Sequence, residues 1–165
     1  MKHYFSMFRA GVVILGLLGV AACSSSNRDM GPAASNHHAI PGTESDFVIN
    51  VGDRVFFATD VAALSDEAKE VLRHQAEWLK RYPQIVVQIE GHADERGTRE
   101  YNLALSAKRA TTVRDFLIAQ GVAPTRLSTI AYGKERPVAL CDAERCWAQN
   151  RRAVTMIVSS YKAYE

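Results

Sequence analysis

Between Gly91 and Asn102 the chain reads GHADERGTREYN. This stretch holds His92, the acids Asp94, Glu95 and Glu100, and the guanidinium groups of Arg96 and Arg99. A metal site, an acid–base site, a clamp for a charged ligand and a solvated turn would each use such groups. A catalytic zinc shell needs three protein ligands, and the loop offers one histidine. His37-His38 lies in a polar stretch and reads as a solvated pair. The chain has no HExxH and no Ser or Cys nucleophile beside a suitable base. A hydrolase built on His92, Asp94 and Glu95 is therefore the weaker alternative, and no metal or cofactor is expected.

The clamp reading is more specific. An apolar run, YPQIVVQIE, enters the loop, and an Ala- and Arg-rich stretch, LALSAKRATTVRDFL, leaves it. The loop thus ends a strand and opens a helix, where free backbone N–H groups favour anions. Asn102, Leu105 and Arg109 recur at helical spacing along one edge of that helix. Arg109 then points back toward Asp94 and Arg96. A carboxylate with two guanidinium groups matches a zwitterion: Asp takes the ammonium and an Arg fork takes the carboxylate. The plainer alternative is an Asp94–Arg109 ion pair that ties loop to helix. His92 reads as a packed, loop-ordering residue, and His74 as a helix-surface residue. Asn102 reads as a hydrogen bonder at the helix start.

These groups must be held by elements legible in the pattern. Val51–Ala58 reads as a strand, with Val55 and Phe57 on one face. Ser65 can cap a helix over 66–81 whose apolar stripe is Ala68, Val71, Leu72, Ala76 and Leu79, stopped by Pro83. Ile85, Val87 and Ile89 alternate with Val86, Gln88 and Glu90 as in a half-buried strand. The second helix spans about 99–120 and ends at Gly121, with Leu103, Ala107, Ala110, Val113 and Leu117 expected to be buried. Strands follow at Leu127–Tyr132 and Ala153–Ser159, the latter with Val154, Met156 and Val158 on one face. The order β-α-β-α-β-(short helix)-β predicts an α+β two-layer sandwich, two helices on one face of a mixed four-stranded sheet.

The N-terminus carries a different message. Lys2 and Arg9 precede an apolar run at 10–20 that is shorter than the roughly 20 residues of a membrane span. Val20-Ala21-Ala22-Cys23 closes it, the pattern of a signal peptide over 1–22 with Cys23 as a lipidation site; an ordinary signal cut after Ala22 is the alternative. Residues 23–46 read as the lipidated Cys and a Ser/Gly/Pro-rich tether, and residues 47–165 as one domain. Removing residues 1–22 takes Lys+Arg from 20 to 18 and leaves Asp+Glu at 18, so the mature charge is zero. Nucleic-acid binding, which wants a basic excess, is excluded on that ground.

Cys141 and Cys146 remain, in LCDAERCW. An exported chain meets an oxidising compartment, which favours a disulfide over two free thiols. Residues five apart in an α-helix have Cα atoms about 8–9 Å apart, beyond the roughly 7 Å that a bridge tolerates. A bridge therefore requires that 141–146 not be one regular helix.

GHADERGTREYNLALSAKRA, AYGKERPVAL and QNRRAV together resemble the OmpA-like C-terminal domain, and most closely the peptidoglycan-associated lipoprotein family. The resemblance covers about residues 50–160, and the lipobox and tether agree with it. It implies non-covalent binding of peptidoglycan at the diaminopimelate of the stem peptide, with Asp94 and Arg109 as the principal pair. Arg96, Thr98 and Leu105 carry over from the same blocks, and Asp60 from FFATD. Ala58 and Thr59 depart from the family there, and the cysteine pair is not general in it. The resemblance also implies an outer-membrane lipid anchor with the domain facing the periplasm, and partnership with TolB and other Tol proteins in envelope integrity and division. A homodimer is compatible with the sequence. Arg151 and Arg152 in QNRRAV are left between a ligand role and a strand-locking role, the second favoured.

Overall fold

The computed structural model describes residues 39–160. The signal peptide, Cys23 and the tether through residue 38 lie outside the described residues. Helix α2, Asp66–Arg81, starts where Ser65 accepts a hydrogen bond from the Ala68 amide at 3.2 Å. Asp66 and Glu67 occupy its first turn and Lys80 and Arg81 its last, each sign matched to the helix dipole. Its inner face buries Ala68, Leu72, Ala76, Trp78 and Leu79, and also Gln75. Gln75 is satisfied on both sides: it donates to the Gly52 carbonyl at 2.7 Å and accepts from the Thr155 hydroxyl at 2.9 Å. Arg126 closes the far end of α2 by donating to the carbonyls of Leu79, Tyr82 and Ile85.

The folded region begins before residue 47, earlier than the sequence suggests. A single helical turn, α1 at Glu44–Asp46, leads into a π-helical turn at Phe47–Val51. Asp46 is buried and accepts hydrogen bonds from Trp78 Nε1 at 2.8 Å, Asn50 Nδ2 at 2.8 Å and the Gly42 amide at 2.9 Å. Phe47 packs on the Trp78 ring, centroids 4.8 Å apart. A polar-looking segment is thus fixed by one buried carboxylate and one aromatic. For the same reason the first strand is short: β1 is Arg54–Phe56, because residues 47–51 are helical.

Strand β2, Ile85–Gly91, carries Ile85, Val87 and Ile89 into the core at 1% exposure or less. Strand β3, Leu127–Ala131, pairs with β2 in parallel, Val87 opposite Leu127 and Gly91 opposite Ala131. Helix α3, Arg99–Ala119, is the crossover between them. Helix α4, Glu144–Asn150, precedes β4, Arg152–Ser160. The sheet order is β1-β4-β2-β3, with β4 antiparallel to both neighbours. Helices α2 and α3 supply one layer and the mixed four-stranded sheet the other, as the pattern predicts. Along β4 the core face carries Ala153, Thr155 and partly buried Ile157. Val154, Met156 and Val158 do share a face, but it is the opposite one, where Val158 is exposed.

The buried face of α3 differs from the expected one. Leu103 is half exposed and Ala107 exposed, while Asn102, Leu105, Ser106, Arg109, Ala110, Val113 and Leu117 are buried. The first half of the helix thus turns its polar edge inward. Gly91 is the reason: a Cβ there would lie 1.9 Å from the Ser106 carbonyl oxygen, so the helix backbone rests directly on the strand end. Ser106 is sealed into that contact, its hydroxyl donating to the Leu103 carbonyl and accepting from the Gly133 amide, both at 2.9 Å.

Candidate functional site

The site lies where β2 ends and α3 begins. Thr98 is the N-cap of α3 and accepts from the Tyr101 amide at 3.2 Å. The loop backbone is tied from outside: Asn102 Nδ2 donates to the Arg96 carbonyl at 2.7 Å, and Lys134 Nζ to the Gly97 and Glu95 carbonyls at 2.8 and 3.1 Å. Gly97 holds φ of 87°, a left-handed conformation that lets the loop turn into the helix.

Asp94 is buried, and both its oxygens are engaged. Oδ1 accepts from the Arg96 amide at 3.1 Å and Arg96 Nε at 3.2 Å; Oδ2 accepts from Arg96 Nη2 at 2.6 Å and Arg151 Nη1 at 3.2 Å. Burial pushes the Asp94 carboxyl up, but the hydrogen bonds from Arg96 and Arg151 outweigh it and hold the group below the usual carboxylate range. Arg151 also donates to the Phe57 carbonyl at 3.0 Å and to Glu144. Arg96 lies over the Trp147 ring at 4.2 Å, and Trp147 Nε1 donates to Glu95 Oε1 at 2.8 Å.

Arg109 is not paired with Asp94. It is fully buried, and its guanidinium donates to three backbone carbonyls: Val61 at 2.9 Å, His92 at 2.9 Å and Ala58 at 3.0 Å. The surface ion pair considered from the sequence is therefore replaced by Arg151, which meets Asp94 instead. Burial first, and Arg151 second, depress the Arg109 pKa to about 10; Asp94 and Asp60 oppose this through space. A guanidinium has five N–H donors, so two remain beyond the three given to carbonyls. No carboxylate forms a salt bridge with Arg109 among the described residues.

Asp60 and Leu105 line a cavity of about 260 Å³ together with Ala62, Tyr101, Ala104 and Lys108. Asp60 holds φ of 58°, the sole non-glycine residue at positive φ among the described residues. Such strain is stored where neighbours over-determine the backbone. Here the carbonyls on either side, Ala58 and Val61, are both held by Arg109. Of the residues picked from the sequence, Asp94 and Arg96 thus form one cluster. Asp60 and Leu105 line the adjacent cavity, Arg109 anchors the segment carrying Asp60, and Thr98 sets the helix start. The sequence reading missed Glu144 and Trp147; Thr59, noted there as a departure from the family, accepts from Arg96 Nη2 at 3.4 Å. The arginines of QNRRAV were a visible signal for Arg151; nothing local marks Trp147. Arg152 locks the strand start, donating to the Arg136 carbonyl at 3.2 Å.

His92 is buried at the strand end, stacked on Tyr132 with centroids 5.5 Å apart, and neither ring nitrogen has a hydrogen-bond partner among the described residues. Burial, then Arg152 and Arg136, lower its pKa to about 4. The unfolded chain holds that proton with a pKa of about 6.5. Stability from the neutral ring is therefore complete above about pH 6.5 and is lost as pH falls toward 4. Between pH 7.5 and 5 this group alone is expected to cost about 2 kcal/mol. Denaturant midpoints for the parent and His92→Gln at those two pH values check it: the variant should lose less on acidification, and equal losses would refute the assignment. With one buried imidazole and no cluster of three His, Cys, Asp or Glu side chains among the described residues, the loop has no donor set for a metal.

Comparison with known proteins identifies the family. The OmpA family matches residues 56–151, which span the site from β1 to Arg151. A peptidoglycan-associated lipoprotein of Mesorhizobium japonicum is 50% identical over 88% of this chain and 89% of its own length. That of Pseudomonas aeruginosa is 44% identical over 81% and 82%. The crystal structure of the peptidoglycan-associated lipoprotein from Burkholderia pseudomallei superposes with a TM-score of 0.62 at 44% identity, covering 64% of this chain and 89% of that one. The C-terminal domain of Helicobacter pylori MotB, at 23% identity and a TM-score of 0.62, shares the fold. The Mesorhizobium, Pseudomonas and Burkholderia proteins are all named peptidoglycan-associated lipoproteins. The chain belongs to the OmpA family, and within it to the peptidoglycan-associated lipoproteins.

Proposed function

We propose that the domain binds peptidoglycan non-covalently by seizing the zwitterionic end of diaminopimelate in the stem peptide, without chemistry on it. The observation that carries this reading is Arg109: a buried guanidinium set on neutral carbonyls, without a salt bridge, holding the segment whose Asp60 lines a cavity and feeling the Asp94 carboxylate through space. Arg126 also sits on three carbonyls, but it caps a helix and is only partly buried. A ligand carboxylate would neutralise Arg109, and a ligand ammonium would compete with Arg96 for Asp94. Asp60, Thr98 and Leu105 would shape the pocket. Joined to a lipid on Cys23, such a domain tethers the outer membrane to the wall from the periplasmic side. Kinship extends the proposal to TolB and the Tol system, acting in envelope integrity and constriction at division.

The test is co-sedimentation with isolated cell wall. Asp94→Ala should stay in the supernatant while the parent domain pellets, and free diaminopimelate should release the parent. If Asp94→Ala and Arg109→Ala both pellet like the parent, the site is assigned wrongly.

A further inference from the structure

We propose that α4, pinned by the Cys141–Cys146 bridge, positions the charged clamp: Glu144 and Trp147 hold the two arginines that hold Asp94. The inference rests on the ligand reading above and adds residues to it. None of these side chains needs to touch the ligand; they act through Arg151 and Arg96.

The geometry begins with a weak helix. Helix α4 has seven residues and starts at Ala143, which offers no side-chain cap. A helix so short is marginal alone, and a missing cap makes it more so. Other groups fix both its ends. At the start, the bridge joins Cys141, outside the helix, to Cys146 within it, Cα atoms 5.7 Å apart. The chain turns there, with the Ala143 amide on the Cys141 carbonyl at 3.0 Å, so the two cysteines do not share one regular helix. At the end, buried Asn150 accepts from the Val138 and Ala139 amides at 2.8 and 3.2 Å and donates to the Ala139 carbonyl at 2.8 Å.

The fixed helix presents two groups to the site. Glu144 takes Nη2 of Arg151, whose Nη1 reaches Asp94. Trp147 lies under Arg96 and is itself oriented by Glu95. The bridge therefore sets α4, α4 sets both guanidinium planes, and those planes set the Asp94 carboxylate. The charged groups acting around Asp94 are Arg96 on the loop, Arg151 after α4, Glu144 on α4 and Arg109 on α3.

The readout is the dissociation constant of a diaminopimelate-containing stem tripeptide, measured by calorimetry across pH. Trp147→Ala should weaken binding roughly three- to tenfold, and Trp147→Phe, which keeps a ring face for Arg96, should restore most of it. Losing the stack loosens Arg96 from Asp94, so the acid limb of the Trp147→Ala profile should move to higher pH. Glu144→Gln should also weaken binding by loosening Arg151, but with its limb moved to lower pH, because a negative charge that faces Asp94 is removed. A structural role alone would not separate the two limbs. The double Cys141→Ser, Cys146→Ser variant, and the parent held in excess dithiol, should bind on the order of tenfold more weakly. If the serine pair unfolds, Trp147→Ala and Glu144→Gln decide the matter with the bridge intact. Parental affinity and parental limbs in Trp147→Ala and Glu144→Gln, alongside lost binding in Asp94→Ala, would overturn the role of α4 alone. Parental binding in Asp94→Ala would overturn the ligand reading beneath it.

Discussion

Arg109→Ala is expected to weaken binding of a diaminopimelate-containing peptide by roughly thirtyfold to several thousandfold. A ligand carboxylate left without its buried partner charge loses about 2–5 kcal/mol, and each 1.4 kcal/mol is about a factor of ten. Stability should fall too, because the carbonyls of Ala58, Val61 and His92 lose their donors. An orphaned buried acceptor costs about 1–3 kcal/mol, reduced where water enters the space. The two effects are separable. Leu72→Ala removes a fully buried side chain of α2 remote from the clamp and should cost about 2–5 kcal/mol of stability. It should bind peptide normally at temperatures where it is folded. Arg109→Lys keeps a charge but cannot present a planar fork to several acceptors, so it should recover little affinity. Calorimetric titration with thermal melts on the same samples checks all three. Binding by Arg109→Ala within a few-fold of the parent would remove this residue from the site.

Gly91→Ala is expected to destabilise the domain by about 3 kcal/mol or more, the upper range for forced overpacking. The added methyl would meet the Ser106 carbonyl oxygen at 1.9 Å and its carbon at 2.7 Å, both backbone atoms of α3. No rotamer change relieves such a clash. The strand end or the helix must move, and the helix carries Arg109 one turn further along. For a domain of this size the melting temperature should drop by roughly 15 °C or more. Peptide affinity should fall even well below the melt, since the Arg109 guanidinium is displaced from the His92 carbonyl. A melt within a few degrees of the parent would show that the contact yields more easily than the geometry indicates.

Much of this was legible in the sequence because it rests on local pattern. The alternation of Ile85, Val87 and Ile89, the cap at Ser65 and the stop at Gly121 depend on neighbours a few positions away. What was misread depends on distant partners. Leu103 looked like core because it is apolar and in register with Ala110 and Leu117, yet it is half exposed. The competing term is the close seat of α3 on Gly91, which turns Ser106, Asn102 and Arg109 inward and gives each a polar partner. Residues 40–46 looked like tether because they are polar, but Trp78, 32 positions on from Asp46, supplies a buried donor. At the site, spacing on one helix set Arg109 on the edge that leads to the loop, where it meets the His92 carbonyl. It could not show that Arg151, 57 positions from Asp94, would take the place beside that carboxylate.

The last strand of the chain occupies an inner position of the sheet, between β1 and β2. Residues 54–56 and 85–91 have no pairing with each other; both wait for 152–160. A polypeptide emerging from its N-terminus therefore cannot close this sheet until residues 152–160 are free. A copy truncated before Arg151 would lack the partner that holds Asp94, and nothing would join residues 54–56 to residues 85–91.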